Sequence, residues 1–496
     1  MRKHGPAVGC VMLDPTLIRA EPARVQAALG RRGMAAEAVQ GAAECDARWL
    51  ARQAVADALR TRRRRASEEV ARAKTAPGAP GTDDLERAGR EAADELRQVE
   101  ADLAHLEAER DEALRALPNL PASDVPEETT VLHETPPRAR CGLVRHSPTC
   151  PPQPAGRRRK GEGGSSGSLL HWDLLKILNL AHTADASAGR GFLIWRGQGA
   201  RLLRALAAFM LDVHARDFGY EEVRCPSVAT REALEGSAHL PALEEKMYAL
   251  SEPGAEAPGQ PQSAAARATA ENVTGGSRRR LEGGAGLFLI PRAEPHLANL
   301  FRGQVLDAGA LPARFVASGP AFRREADHGG AAGRGLLRLH EFPTVEVYAF
   351  CRPQESEAEL ARAVEAATKI LALLEVPHRR LLRGARSLSH AAAKTIDLEV
   401  WAAGAEPWLG VAALSSFTDY QARRTETRYR AADAKPRLVH TVGGAAVAIP
   451  HLVAALVENG QEADGSVRLP EALRPYMGGL DRLRPPEPSD ARDAKG

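Results

Sequence analysis

One segment limits what this chain can fold into more than any other: RFVASGPAFRREADHGGAAGRGLLRLHEFPTVEVYAF, from Arg314 to Phe350. It reads as two β-strands joined by a glycine-rich turn. Phe315, Val316 and the Phe322 region make the first strand and His340 to Phe350 the second, rich in the alternating Phe, Val and Tyr of a half-buried strand. Between them Gly329, Gly330, Gly333 and Gly335 let a loop lie close over a ligand. Charges gather at the strand ends: Arg323, Arg324 and Glu325 on one side, Arg338, His340, Glu341 and Glu346 on the other. A guanidinium fixed at a strand end suits a nucleotide phosphate, because it is always charged and donates two parallel hydrogen bonds. On residue types alone an ordinary surface hairpin with solvated charges fits slightly better.

At 496 residues the chain has room for two domains, with a sizeable core in at least one. Its 67 basic and 64 acidic residues leave a net charge of +3, so any nucleic-acid contact must come from local patches. Cys10, Cys45, Cys141, Cys150, Cys225 and Cys351 form no CxxC pair and no metal-ligand spacing, so reduced thiols in a cytoplasmic protein are expected. No apolar run reaches the length of a membrane span, and MRKHGPAVGC lacks a signal-peptide core.

From about Glu37 to Leu117 the chain is rich in Ala, Leu, Glu and Arg. The break APGAPGT (Ala76 to Thr82) divides it into two helices, since its prolines and glycines continue neither. Leu96, Val99, Leu103 and Leu106 give the second helix a coiled-coil seam, and Val55, Leu59, Ala66 and Val70 give the first a weaker apolar side. Two antiparallel helices of roughly 30 residues would project about 45 Å. A dimerisation hairpin fits this pattern as well as a binding arm does. Arg60, Arg62, Arg63, Arg64 and Arg65 form a run able to neutralise several phosphates, although a solvated helix face is the commoner use of such a run.

Residues 118–170 read as a linker, with a Pro-, Gly- and Ser-rich basic insertion at Pro151 to Ser168, and a second low-complexity insertion spans about 252–286. The segment GFLIWRGQGARLLRALAAFMLDVHARDFGYEEVRCP (Gly191 to Pro226) reads as strand, turn, long helix, strand. The tail 481–496 is polar and Pro-rich.

The word FRREA, a glycine-rich loop and then RGLLRLHEFPTVE together resemble the second signature motif of class II aminoacyl-tRNA synthetases, most closely of the seryl-tRNA synthetases. The resemblance begins at Met12 and runs to about Gly479, apart from the two insertions. It implies an α+β fold: an N-terminal antiparallel helical coiled-coil arm over 12–117, then an antiparallel β-sheet domain of class II type flanked by helices over 171–480. It also implies ATP and Mg²⁺, serine, a tRNA-Ser gripped by the arm, and a homodimer whose interface uses the Gly191 to Pro226 segment. In that family's terms Arg323 and Glu325 are the catalytic residues, and Arg323, Glu325, Arg338 and His340 bind ATP. Glu294 and Glu346 bind serine, Glu346 by its ammonium.

The chain departs from the family pattern where it matters chemically. In LFLIPRAEPHLANLF the threonine of a Thr-x-Glu word is Arg292, a long cation that would fill or re-aim the pocket. In WLGVAALSSFTDYQARR the metal-binding glutamate is Gly410, which removes an oxygen ligand for Mg²⁺. In HTVGGAAVAIPHLVAALVENGQEADGS the polar serine contacts are Gly443 and Ala445, and the arginine that clamps the γ-phosphate is His451. Two readings follow: an ATP-dependent serine–tRNA ligase in which several ATP, metal and serine positions have changed, or a catalytically inactive paralogue that binds tRNA or another partner. A third is activation of a different acid, one with an added carboxylate that Arg292 would pair.

Overall fold

The computed structural model describes residues 13–75, 83–136, 169–250, 286–325, 335–403, 408–432 and 434–486. Gly329, Gly330 and Gly333, the two insertions and the tail beyond 486 lie outside them. The chain divides into two compact units, residues 1–123 with 385–392, and residues 124–384 with 393–496.

The first unit is helical: α1 (Pro15–Ala20), α2 (Pro22–Gly30), α3 (Ala36–Thr75) and α4 (Asp83–Ala116). Helices α3 and α4 pair along their length, at 40 and 34 residues longer than the roughly 30 expected. Ala56, Leu59, Leu96, Val99 and Leu103 close the seam with Trp49 packed against them. Val55 lies outside it, 42 % exposed, because its neighbour Ala56 faces the partner helix instead. Ion pairs flank the apolar row, Arg48 with Glu109 at 3.1 Å and Arg60 with Glu100 at 2.9 Å, and Arg52 with Asp102. Arg110 lies over the Trp49 ring at 4.1 Å.

The second unit is built on one eight-stranded sheet. Its strands are β1 (Thr130–Glu134), β2 (Glu221–Val223), β3 (Ala313–Phe322), β4 (Glu341–Cys351), β5 (His378–Leu382), β6 (Lys394–Trp401), β7 (Trp408–Thr418) and β8 (His440–Ala448), in the order β1-β5-β6-β7-β8-β4-β3-β2. Every pairing is antiparallel except β2 with β3. Strands β3 and β4 are the two read from the sequence, in register from Glu341 opposite Phe322 to Phe350 opposite Ala313.

Side chains alternate along a strand, so each central strand has a core side and a site side. Val345 and Val347 of β4, with Leu398 and Val400 of β6, enter the main hydrophobic cluster. Thr344, Glu346, Asp397 and Glu399 face the other way. The cluster also takes the apolar faces of α5 (His171–Ile177), α6 (Gly197–Phe218), α7 (Ser356–Leu373) and α8 (Ile449–Asn459). From α6 these are Leu202, Leu206, Phe209, Met210 and Val213, which fall on one side of the helix as amphipathic packing requires.

Candidate adenylate site

The site face of the sheet borders a void of about 530 Å³. Its wall includes Arg323 and Glu325 just past β3, Arg338 before β4, Thr344 and Glu346 on β4, Asp397 and Glu399 on β6, and Gly410 and Ala413 on β7. Ala445 of β8 lies between Ala413 and Glu346 in adjoining ladders, so no polar side chain interrupts that row.

Arg323 faces this void without an ion pair among the described residues, its guanidinium 5.6 Å from the centre of the Phe342 ring. Burial first, then the neighbouring Arg292, pushes its pKa down to about 10, which still leaves it charged at neutral pH. A half-buried cation that Glu346 and Glu325 oppose only through space, without an ion pair among the described residues, is an anion site in waiting.

The acidic residues behave differently. Among the described residues four carboxylates line the void, and each faces an arginine: Glu325 with Arg338 at 3.6 Å, Glu346 with Arg292 at 3.8 Å, Asp397 with Arg383 at 2.6 Å and Glu399 with Arg379 at 2.7 Å. Magnesium needs oxygen donors set in near-octahedral array. Gly410 offers no side chain, and each carboxylate around it among the described residues has an arginine within 4 Å. This donor set does not fit the ion.

Below the wall lies a buried polar network. Glu294 N–H donates to Glu346 Oε2 at 3.0 Å, and Gln421 Nε2 donates to Glu294 Oε1 at 2.8 Å. Gln421 Oε1 accepts from Tyr348 at 2.6 Å and from Thr441 at 3.0 Å. Burial raises both acids above the ordinary carboxylate range, Glu346 to about 7, although Arg292 opposes the rise in each.

The residues singled out from the sequence do not all reach the void. Arg292, Arg323, Glu325, Arg338, Glu346, Gly410, Ala445 and His451 line it. Glu294 sits behind Arg292, 5 % exposed. His340 is not on the wall; its ring stacks on Phe192 at 5.2 Å and meets the Tyr248 hydroxyl at 2.6 Å. Gly443 is not on the wall either, since a Cβ there would lie 2.7 Å from the Tyr348 ring. Both ring nitrogens of His451 face backbone carbonyl oxygens, Gly410 at 2.7 Å and Leu337 at 3.2 Å. Asp397, Glu399, Arg383 and Thr344 were missed; the period-two acids in KTIDLEVW were the available signal for the first two.

Comparison with known proteins agrees with this geometry. Residues 12–121 match the Seryl-tRNA synthetase N-terminal domain, and residues 280–460 match the tRNA synthetase class II core domain (G, H, P, S and T). The serine–tRNA ligase of Gemmatimonas aurantiaca is 38 % identical over 85 % of this chain and 88 % of its own length. That of Thermomicrobium roseum is 35 % identical over 98 % of each. The crystal structure of seryl-tRNA synthetase from Pyrococcus horikoshii complexed with ATP superposes with a TM-score of 0.78 at 27 % identity, covering 96 % of this chain and all of the other. With both halves of the chain matched and the sheet and helical pair in place, this chain belongs to the seryl-tRNA synthetase family of class II aminoacyl-tRNA synthetases.

Proposed function

We propose that the chain keeps the nucleotide cradle of a serine–tRNA ligase but has lost efficient activation of free serine, and acts as an ATP- and tRNA-binding member of the family. One observation carries this: every carboxylate on the wall faces an arginine, and Gly410 supplies none where a metal would have to be held. Arg323, unpaired and facing the void, holds the anionic α-phosphate region, and Arg338 adds charge at the mouth. The Pyrococcus relative's complex with ATP supports a nucleotide as the ligand. Arg62 to Arg65 on α3 form the tRNA-binding surface, with Arg60 beside them tied to Glu100 and Asp57, and two copies pair as a homodimer.

Taking away one charged group that stabilises a phosphoryl or acyl transition state costs on the order of 10²–10³ in rate. The changes at Gly410, His451 and Ala445 compound, although not additively. ATP–pyrophosphate exchange with serine on the purified chain tests the reading. Exchange at least a thousandfold below that of the Gemmatimonas relative is expected. Robust serine-dependent exchange overturns it in favour of the second reading, a working serine–tRNA ligase, which the convergence of Arg323, Glu325, Arg338 and Glu346 on one void favours.

A further inference from the structure

A buried carboxylate on a cavity wall is the natural acceptor for a ligand's ammonium, because it needs a counter-charge that water cannot supply. Glu346 is such a group, 1 % exposed, with Glu294 behind it at 5 %. Here the counter-charge comes from the protein itself. Arg292 Nε lies 3.8 Å from Glu346 Oε1, and its Nη1 lies 3.6 Å from Glu294 Oε2. Both separations are longer than a hydrogen bond, and the guanidinium remains 22 % exposed on the wall of the void.

The local charge disfavours a further cation. Arg292 and Arg323 bring two positive charges. Burial raises Glu346 to about 7, so at neutral pH the acid pair carries less than two negative ones. An incoming ammonium would have to displace a tethered guanidinium from Glu346 and then sit beside it. Val411, Ala412, Ala413, Ala445 and Ala448 make the rest of this end small and apolar apart from Thr344, whose hydroxyl donates to the Val447 carbonyl oxygen at 3.4 Å. A substrate hydroxyl would find no side-chain partner on the apolar residues.

We propose that Arg292 is a built-in stand-in for a substrate ammonium, so that the acyl end of the void takes carboxylic acids lacking an α-ammonium and carrying a small apolar group, and rejects free serine. The proposal rests on the nucleotide-binding reading above and concerns which acyl group sits beside the nucleotide.

The test uses stable 5′-O-sulfamoyl-adenosine mimics of an acyl-adenylate, with seryl, propionyl and succinyl groups, titrated calorimetrically into the full chain, with ATP titrated separately. The wild type is expected to bind the propionyl compound at least tenfold more tightly than the seryl compound. Arg292→Thr should strengthen seryl binding at least tenfold and change propionyl binding less than threefold, whereas Arg292→Lys, which keeps the charge, should retain the wild-type order. A wild type that prefers the seryl compound, or an order unchanged in Arg292→Thr, overturns the proposal while ATP binding leaves the nucleotide reading standing. Tenfold tighter binding of the succinyl than the propionyl compound also overturns it, since Arg292 would then be recognising an added carboxylate. Failure to bind ATP or any of the three overturns the nucleotide reading and this proposal together.

Discussion

Glu399 stands directly opposite Gly410 in the β6–β7 ladder at the edge of the void, and its carboxylate is held 2.7 Å from Arg379. The acid opposite Gly410 is therefore already paired with a neighbouring cation. Space for a side chain does exist there: a Cβ at Gly410 meets nothing within 4 Å, and the residue is not among those with positive φ. Gly410→Glu should thus fold and bring a new carboxylate to the wall. Magnesium is expected to tighten ATP binding at least tenfold in this variant and less than threefold in the wild type, read by calorimetry with and without the ion. Equal magnesium dependence in both proteins would show that Gly410 is irrelevant to the metal.

Glu346 makes folding pH-dependent. Its carboxyl is raised from the ordinary 4.5 to about 7, chiefly by burial. Between those values the folded chain holds a proton that the unfolded chain has released. The stabilisation is thus fully present below about 4.5 and is lost as pH rises through about 7. Its ceiling is ~3 kcal/mol, one pKa unit being worth about 1.4. Glu346→Gln stays neutral throughout, so thermal unfolding should show the wild type losing ground to the variant as pH climbs from 4.5 to 8. A constant difference across that range contradicts the raised pKa.

What could be read from the sequence divides along physical lines. The β3–β4 pair was legible because period-two aromatics and a glycine-rich turn are local signals, and the helical pair because APGAPGT can continue neither helix. Arg292 was visible as a misplaced cation, but its pairing with Glu346 was not, since only the assembled sheet brings the two together. Period two alone puts Asp397 and Glu399 on one face of β6; what it did not show is the irregular step opposite them on β7, where Leu398 faces Ala412 and Glu399 faces Gly410, with Val411 between. Val55 was assigned to the seam on spacing alone; in an Ala- and Arg-rich helix a one-residue change of phase leaves little trace in the pattern. Gly443 read as a missing polar group, whereas its space is taken by Tyr348 from a strand far earlier in the chain.

That last substitution is locked in. A Cβ at Gly443 would come within 2.7 Å of the Tyr348 ring and 2.7 Å of the Val347 carbonyl oxygen, and Tyr348 is itself held by its hydrogen bond to Gln421. Gly443→Asn should therefore cost about 1–3 kcal/mol, as overpacking does in a close-packed interior, without improving serine affinity. Denaturant unfolding and serine calorimetry on the same variant check this. An undiminished stability with new serine binding would mean that the ring moves aside.

The arginine run on α3 contains two kinds of residue. Arg62, Arg63, Arg64 and Arg65 are exposed, and among the described residues Arg64 pairs with Glu68 at 3.8 Å. Arg60 instead bridges to Glu100 on α4 at 2.9 Å and to Asp57 at 2.9 Å. Replacing Arg62 to Arg65 with Ala should weaken tRNA binding and flatten its dependence on salt, by about 0.9 in logarithmic slope for each phosphate no longer neutralised. Arg60→Ala should leave that slope unchanged and shift arm stability by less than about 1 kcal/mol, as an exposed ion pair does. Binding measured from 50 to 300 mM salt separates the two groups. A slope that falls in Arg60→Ala but not in the quadruple variant would move the tRNA-binding surface off the exposed run, because an arginine held by two carboxylates has less charge to offer a phosphate than one facing water alone.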